Sequence, residues 1–344
     1  MKKKQVYQTF IFLVIGIGIF VYIYKDLQLD KIKEALGSLK YEWIVLSGIF
    51  GLSSHFIRAL RWQQLIEPLA HKPRTLNTYL AVLVLYLFNI LIPRGGEIAR
   101  CSVLDRYEKI PFTKLLGTVV TERLSDLTVF FLILVALIFW DAPVLDRFAR
   151  NNPGLIKGFR DVLTSKYFYI SIGAVGAGIY FLFFSGKRSQ SKLMNKILKI
   201  KEQFREGIST IYKTKSKALY VFYTLLIIFL WLLMLYVVFF AYEPTSHLSF
   251  WMAVITFAIS SFAFILPIQA GIGAWHFLVI QSLFLFGIDK DTGAVFALIS
   301  HTFTNLIFLA VGTLAFILLP IINNKEEESI SFKDITHKKE IEGK

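Results

Sequence analysis

Eight apolar runs in this sequence are long enough, or nearly long enough, to cross a lipid bilayer as helices. The hydrocarbon core of a bilayer is about 30 Å thick, which a helix of ~20 residues spans. Strands of membrane barrels instead alternate apolar and polar residues over shorter segments. We therefore predict an all-α polytopic membrane protein with about seven to eight transmembrane helices. The apolar runs lie at 7–24, 43–66, 75–92, 113–140, 167–185, 218–241, 249–266 and 291–319.

The composition agrees with this class of protein. Hydrophobic residues make up 55% of the 344 residues and charged residues 18%, and the mean hydropathy is +0.58. Soluble domains have about 25% charged residues, which they need to cover their cores. The net charge of +14 fits basic loops beside anionic lipid headgroups. The sequence has no motif of a nucleic-acid-binding fold, so we expect no nucleic acid partner.

Several kinds of active site are excluded by the sequence. Cys101 is the single cysteine, which rules out an internal disulfide and a cysteine-based metal cluster. No HExxH, Walker A or GxSxG pattern occurs. His247, His276 and His301 lie singly in or near apolar segments, and packing is the more ordinary role for each. We expect no catalytic residues, no metal site and no cofactor.

The distribution of Lys and Arg predicts the orientation. Segment 186–217 contains ten basic residues and has apolar residues at helical spacing. Such a segment is typical of an amphipathic helix on the cytoplasmic face. A cytoplasmic N-terminus and a cytoplasmic 186–217 are compatible only if 75–92 enters the membrane and returns to the same side. The topology then places 24 basic residues inside and 9 outside, with both termini cytoplasmic.

Two breaks interrupt the apolar pattern at corresponding places in the two halves. Each apolar run ends in a proline that is followed by small residues. Broken helices in two oppositely oriented halves are typical of transporter binding sites and consistent with inverted repeats. Two ordinary loops between short full spans are the alternative. We predict re-entrant hairpins, with hinge residues Pro93, Gly95, Gly96, Pro267, Gly271 and Gly273.

The predicted domain organisation follows from these breaks. Residues 1–320 form one integral membrane domain with halves at about 1–185 and 218–320, joined by the basic segment 186–217. Segment 321–344 is rich in charge, and we predict that it is a disordered cytoplasmic tail.

Charged residues occur where a membrane helix should be apolar. Arg58 and Arg61 share one face of the second span, and a charge near the bilayer centre costs about 2.5–3.5 kcal/mol. Glu122 and Asp126 lie one helical turn apart. Five arginines against three carboxylates leave a net charge of +2, which favours an anion such as phosphate. The predicted substrate-binding residues are Arg58, Arg61, Arg94, Glu97, Arg100, Glu122, Arg123 and Asp126.

Plainer interpretations of these charges also exist. Arg61 lies near a helix end, where a long side chain can extend to the headgroups. Arginine–carboxylate pairs can also serve only to hold helices together. Acid–base catalysis by Glu122 and Asp126 is the interpretation with the least support, because no nucleophile–base pair or set of metal ligands accompanies them.

Four segments resemble the lysylphosphatidylglycerol-synthase transmembrane family, also called the flippase-like domain family. They are Arg58-Ala-Leu-Arg-Trp62, Pro93-Arg-Gly-Gly-Glu-Ile-Ala-Arg100, Glu122-Arg-Leu-Ser-Asp126 and Pro267-Ile-Gln-Ala-Gly-Ile-Gly273. The resemblance extends over roughly residues 5–320 and implies a bacterial cell-membrane domain with two re-entrant halves. In well-known members this domain moves an aminoacylated phosphatidylglycerol between leaflets and is fused to an aminoacyltransferase domain.

This sequence departs from the family pattern at two places. Where the family often has a second glycine and then a glutamate, Ala270 and His276 stand here. The segment after the last span is also too short for a transferase domain, so we expect no enzymatic activity. The resemblance implies translocation of a phospholipid or lipid-linked headgroup, with membrane lipids as partners. A non-transporting subunit that presents lipid to a separate aminoacyl- or glycosyltransferase is the alternative, and a lipid-modifying enzyme or a second copy is a further expected partner.

Overall fold

The computed structural model describes residues 17–25, 27–92, 95–184, 192–264 and 271–342, which are helical and contain no β-strand. Short 3₁₀ turns cover Glu67–Leu69, Glu243–Thr245 and Phe262–Phe264. The α-helices are α1 (17–24), α2 (Leu29–Ser38), α3 (Tyr41–Ile66), α4 (Thr75–Leu91), α5 (Gly95–Glu108), α6 (Phe112–Trp140), α7 (Ala142–Asn151), α8 (Pro153–Thr164), α9 (Lys166–Phe184), α10 (Lys192–Lys213), α11 (Lys217–Phe239), α12 (Phe250–Ser261), α13 (Ala274–Phe284) and α14 (Lys290–Glu342).

Four of these helices are long and apolar enough to cross a membrane. They are α3 with its 3₁₀ extension, α6, α11 and the first 35 residues of α14. Shorter apolar helices are α4, α12 and α13. The prediction of an all-α polytopic membrane protein is confirmed. Most of the predicted first span, 7–24, lies outside the described residues.

Helices α4 and α5 form a hairpin at the first predicted break. A Cβ atom added to Gly96 would lie 2.1 Å from the carbonyl oxygen of Leu85, so the two helices approach closely only because this residue is glycine. The amide of Gly96 also donates to Asn89 Oδ1 at 3.0 Å. The predicted hinge residue Pro93 and the predicted substrate-binding residue Arg94 lie outside the described residues.

Helices α12 and α13 meet at the second predicted break. Gly271 and Gly273 have φ angles of 72° and 82°, which side chains other than glycine rarely adopt. Gly273 immediately precedes the first residue of α13, so the helix begins directly after a backbone conformation that favours glycine. Pro267 lies outside the described residues.

Helix α3 packs against both α11 and α14 through two glycines. A Cβ atom on Gly48 would contact Ile307 at 3.0 Å, and one on Gly51 would contact both Phe308 and Met234. Small residues on α3 therefore allow the two neighbouring helices to pack directly on it, as is common between membrane helices. This packing holds the arginine-bearing face of α3 at a fixed distance from α11.

Helix α10 crosses α6 at two facing glycines. A Cβ atom on Gly207 would lie 2.2 Å from the carbonyl oxygen of Lys114, and one on Gly117 would lie 2.4 Å from that of Phe204. The hydroxyl of Thr121 donates to the carbonyl of Ile208 at 3.0 Å. The basic amphipathic segment is therefore packed directly against the helix that carries Glu122 and Asp126.

Two polar segments between the apolar runs are also helical. Segment 25–42 contains α2, and 141–166 contains α7 and α8. Helix α7 forms because its apolar residues Val144 and Phe148 are buried on one face. Helix α14 is described as far as Glu342. The disorder of the charged tail at 321–344 stays a prediction.

Candidate functional site

Seven of the eight predicted substrate-binding residues meet in one cluster between α3, α5 and α6. Ion pairs and hydrogen bonds connect all of them. Arg94 lies outside the described residues. We call this group the arginine cluster, and its members are Arg58, Arg61, Glu97, Arg100, Glu122, Arg123 and Asp126.

Glu122 lies at the centre of the cluster and is fully buried. Its Oε1 atom is 2.5 Å from Nε of Arg58 and 3.0 Å from Nη2 of Arg61, and its Oε2 atom is 2.9 Å from Nη1 of Arg100. One carboxylate thus contacts guanidinium groups from two other helices. A charge without such partners would be very costly at this depth.

Asp126, one turn further along α6, is the second carboxylate that pairs with the arginines of α3. Its Oδ2 atom is 3.0 Å from Nη2 of Arg58, and its Oδ1 atom is 2.7 Å from Nη1 of Arg61. Arg58 and Arg61 therefore each bridge Asp126 and Glu122. The i, i+4 spacing on α6 matches the i, i+3 spacing on α3, which explains why both arginines reach both carboxylates.

The outer edge of the cluster is formed by Glu97 and Arg123. Glu97 Oε2 is 2.7 Å from Nε of Arg100, and Glu97 Oε1 accepts a hydrogen bond from Nε of Arg123 at 2.6 Å. The side chain of Arg123 is 38% exposed and that of Glu97 is 20% exposed. The cluster is thus closed on the α3 side and accessible on the side where α5 meets α6.

Aromatic rings and hydroxyl groups complete the surroundings of the arginines. Nη1 of Arg58 donates to the Tyr86 hydroxyl at 2.7 Å, and Nη1 of Arg61 donates to Thr224 Oγ1 at 3.1 Å. The guanidinium carbon of Arg100 lies 4.4 Å from the ring centroid of Trp62, within cation–π range. Two further rings lie near the arginines, with Trp231 5.6 Å from Arg58 and Tyr220 5.7 Å from Arg61.

Sequence analysis did not identify these aromatic and hydroxyl partners. Tyr86 and Thr224 occur in apolar helices where aromatic and small polar residues are ordinary. The one available signal was Trp62, which directly follows the predicted Arg61. Its indole donates to Thr118 on α6 at 2.8 Å, so it also fastens α3 to the helix bearing the carboxylates.

The described part of the cluster carries a net positive charge. Four arginines face three carboxylates, so the excess is one charge when Arg94 is left out. Among the described residues, Arg100 Nη2 and Arg61 Nε are buried and have no hydrogen-bond partner. Such groups are rare in folded proteins because each costs its desolvation free energy. Arg61 Nε lies on the closed α3 side, whereas Arg100 pairs with Glu97 at the accessible edge, so Arg100 Nη2 is the donor placed for an anionic oxygen.

His276 and His301, which we expected to lie singly, are neighbours at the second break. The ring centroids of His276 and His301 are 4.5 Å apart, and the ring of Trp275 lies 5.3 Å from that of His301. Their distance in sequence, on two different helices, gave no sign of this pairing. In the described ranges, no group of three or more His, Cys, Asp or Glu residues is arranged to hold a metal ion.

A known family of membrane proteins matches most of the chain, including the segments that form the arginine cluster. The profile of the lysylphosphatidylglycerol synthase TM region matches residues 9–312. The chain belongs to this family. It is a multi-pass membrane protein, and the matched profile describes a transmembrane region of a lipid synthase.

A curated relative is a UPF0104 membrane protein of Methanocaldococcus jannaschii. It is 30% identical over 133 residues, which cover 38% of this chain and 40% of the relative. The matched region therefore spans less than half of either protein. No solved structure matches the chain.

Proposed function

We propose that this protein translocates a phospholipid or a lipid-linked headgroup between the two membrane leaflets and is not itself an enzyme. An aminoacyl-phosphatidylglycerol or a glycolipid is the substrate class that fits. The family membership supports a membrane role in lipid handling. The observation that carries the proposal is the arginine excess in the arginine cluster, together with the unpaired donor of Arg100, which pairs with Glu97 at the accessible edge.

The substrate phosphate would bind at the outer edge of the cluster. Arg123 is the most exposed arginine there, and Glu97 joins it to Arg100. A phosphate oxygen that replaces one Glu97 oxygen would contact Arg123 and would also reach the unpaired Nη2 of Arg100. Arginine suits this role because its planar donors match phosphate oxygens. Arg94, which precedes α5, is the further arginine proposed for this site.

The remaining cluster residues would hold the site in place. Arg58 and Arg61 are at most 2% exposed and are paired with Glu122 and Asp126. Their proposed contribution to substrate binding is the positive potential they give the site. Glu97 is the carboxylate closest to the surface and is suited to contact a cationic headgroup.

The α4–α5 and α12–α13 hairpins are the proposed moving parts. Each is a pair of short helices with glycines at or just before the start of the second helix, and each is too short to cross the bilayer twice. We propose that both are re-entrant and give access to opposite leaflets. The same proposal places the chain in a bacterial cell membrane with cytoplasmic termini, with membrane lipids as partners. A separate lipid-modifying enzyme or a second copy of the chain is a further proposed partner.

Reconstitution of the purified protein into liposomes tests the proposal. A labelled anionic phospholipid should become accessible in the opposite leaflet faster than in protein-free liposomes. Arg123→Ala and Arg94→Ala should each slow this transfer, because each removes an arginine from the proposed phosphate site. Arg150→Ala is the matched control, since Arg150 is 71% exposed on α7. Wild-type protein that binds lipid but does not move it would instead indicate a lipid-presenting subunit.

A further inference from the structure

The second break contains a histidine that caps its own helix. His276 is the third residue of α13, and its Nδ1 atom accepts a hydrogen bond from the backbone amide of Gly273 at 3.3 Å. The side chain is 1% exposed. The third residue of a helix commonly reaches back to the capping residue in this way, although Glu and Gln are the usual residues there.

Nδ1 of His276 cannot bind a proton and accept the hydrogen bond from Gly273 at the same time. A neutral imidazole has one nitrogen that donates and one that accepts, whereas a protonated imidazole has two donors. Nδ1 of His276 is the acceptor, so the proton of the neutral ring is on Nε2. A second proton must go to Nδ1, where it would face the N–H of Gly273. The bond to Gly273 must break before the second proton can bind.

The surroundings of His276 strengthen this exclusion. Facing it are the imidazole of His301 on α14, 4.5 Å away between centroids, and the phenol ring of Tyr24 on α1, 5.7 Å away. Helix α12 carries no titratable residue. No carboxylate among the described residues pairs with His276, so a charged ring in the closed turn would be buried without a counter-ion.

The turn that the hydrogen bond holds is able to change shape. Gly271 and Gly273 both have positive φ angles, which glycine adopts and leaves at low cost. We propose that His276 is a proton-binding group whose protonation opens the Gly271–Gly273 turn at the start of α13. The ligand of this site is a proton. The proposal goes beyond lipid translocation and does not depend on it.

Hydrogen exchange of the turn amides tests the proposal without a transport assay. The full chain in detergent micelles is labelled at about pH 8 and about pH 5, the range over which histidine titrates. Protection is expressed relative to an unstructured peptide at the same pH. The peptide covering 271–276 should lose roughly tenfold of its protection at the lower pH, because one buried hydrogen bond is lost.

Three variants determine whether His276 is the responsible group. His276→Gln can still accept from Gly273 but does not titrate, so its turn should stay protected at both pH values. His276→Ala cannot accept the hydrogen bond from Gly273, so its turn should be unprotected at both pH values. His247→Gln, at an exposed histidine outside α13, should behave like wild type.

Three results would overturn the proposal. They are equal protection of the wild type at both pH values, an acid-induced loss in His276→Gln as large as in wild type, and full protection in His276→Ala. The test with His276→Ala does not depend on His276→Gln, so the proposal remains testable if His276→Gln does not fold.

Discussion

Arg123 pairs with Glu97 across the space between α6 and α5, although Glu122 is its immediate neighbour in the sequence. The carboxylate of Glu122 instead contacts Arg58, Arg61 and Arg100. The two acidic residues therefore have different roles. Glu122 neutralises the buried interior of the arginine cluster, and Glu97 closes its accessible edge.

Glu122→Gln should strongly destabilise the protein. Three buried arginines share this carboxylate, and removal of one partner of a buried ion pair costs about 3–5 kcal/mol. Thermal unfolding in detergent measures the change. Asp146→Asn is the control, because Asp146 pairs with exposed Arg150 one turn away on α7 and such pairs contribute about 0.3–0.5 kcal/mol. Equal destabilisation by both changes would contradict the central position of Glu122.

A double-mutant cycle should separate the two sets of contacts. Arg58→Gln and Glu122→Gln remove partners 2.5 Å apart, so their effects on unfolding free energy should be non-additive by about 0.5–3 kcal/mol. Arg123→Gln and Glu122→Gln should couple more weakly, because Arg123 pairs with Glu97 and is connected to Glu122 only through other residues of the cluster. Strong coupling in the second pair and none in the first would show that the partners are assigned wrongly.

Gly96→Ala should force the α4–α5 hairpin apart. The added methyl group would lie 2.1 Å from the Leu85 carbonyl oxygen and 2.7 Å from Asn89 Oδ1. Overpacking of this kind typically costs about 1–3 kcal/mol. Gly158→Ala on α8 meets no atom within 4 Å and should be neutral or stabilising, since alanine favours helix by about 1 kcal/mol. Gly96→Ala should therefore lower the melting temperature, whereas Gly158→Ala should leave it unchanged or raise it.

Asp289 should give the protein a pH-dependent contribution to stability. Hydrogen bonds from Thr292, including one from its amide at 3.0 Å, hold the pKa of the Asp289 carboxyl below its usual range. A lowered folded-state pKa stabilises the protein above the unfolded pKa of about 3.9 and loses that effect as the pH falls through the folded pKa.

Asp289→Ala should therefore lower the melting temperature at neutral pH and have little effect in strong acid. Loss of an N-cap costs about 0.5–2 kcal/mol, and the exposure of Asp289 places the expected value at the low end. Asp161→Ala, at an exposed position on α8, is the control. A difference between wild type and Asp289→Ala that grows on acidification would contradict the capping role.

Reporter fusions test the predicted membrane topology. A reporter inserted within 186–217 should be cytoplasmic, because this segment has ten basic residues, and one within 141–166 should be external. An external position for 186–217 would mean that α4 crosses the membrane fully. The re-entrant interpretation of the first hairpin would then be wrong.

The sequence predicted the helices and most of the cluster because both depend on local patterns. Apolar runs set the bounds of α3, α6 and α11 to within a few residues. Charges inside such runs identified the cluster members because an ionised side chain in a membrane helix requires partners. Neither inference needs any knowledge of how distant helices pack.

The partners within the cluster could not be predicted, because they depend on helix rotation and crossing. Arg123 directly follows Glu122 in the sequence, yet the rotation of α6 directs Arg123 towards Glu97 on α5. The neighbouring positions of His276 and His301 likewise result from the packing of α13 against α14. The spacing of residues along the sequence does not specify how distant helices rotate and cross.

The glycine contact between α6 and α10 fixes these two helices in axial register. If either helix slid by one turn, Thr121 or Ile211 would bring a side chain to a point where only backbone atoms fit. Glu122 lies five residues along α6 from Gly117, a rise of about 7.5 Å. The distance between the basic helix and the buried charges is consequently set by the chain itself, and bilayers of different thickness should leave it unchanged.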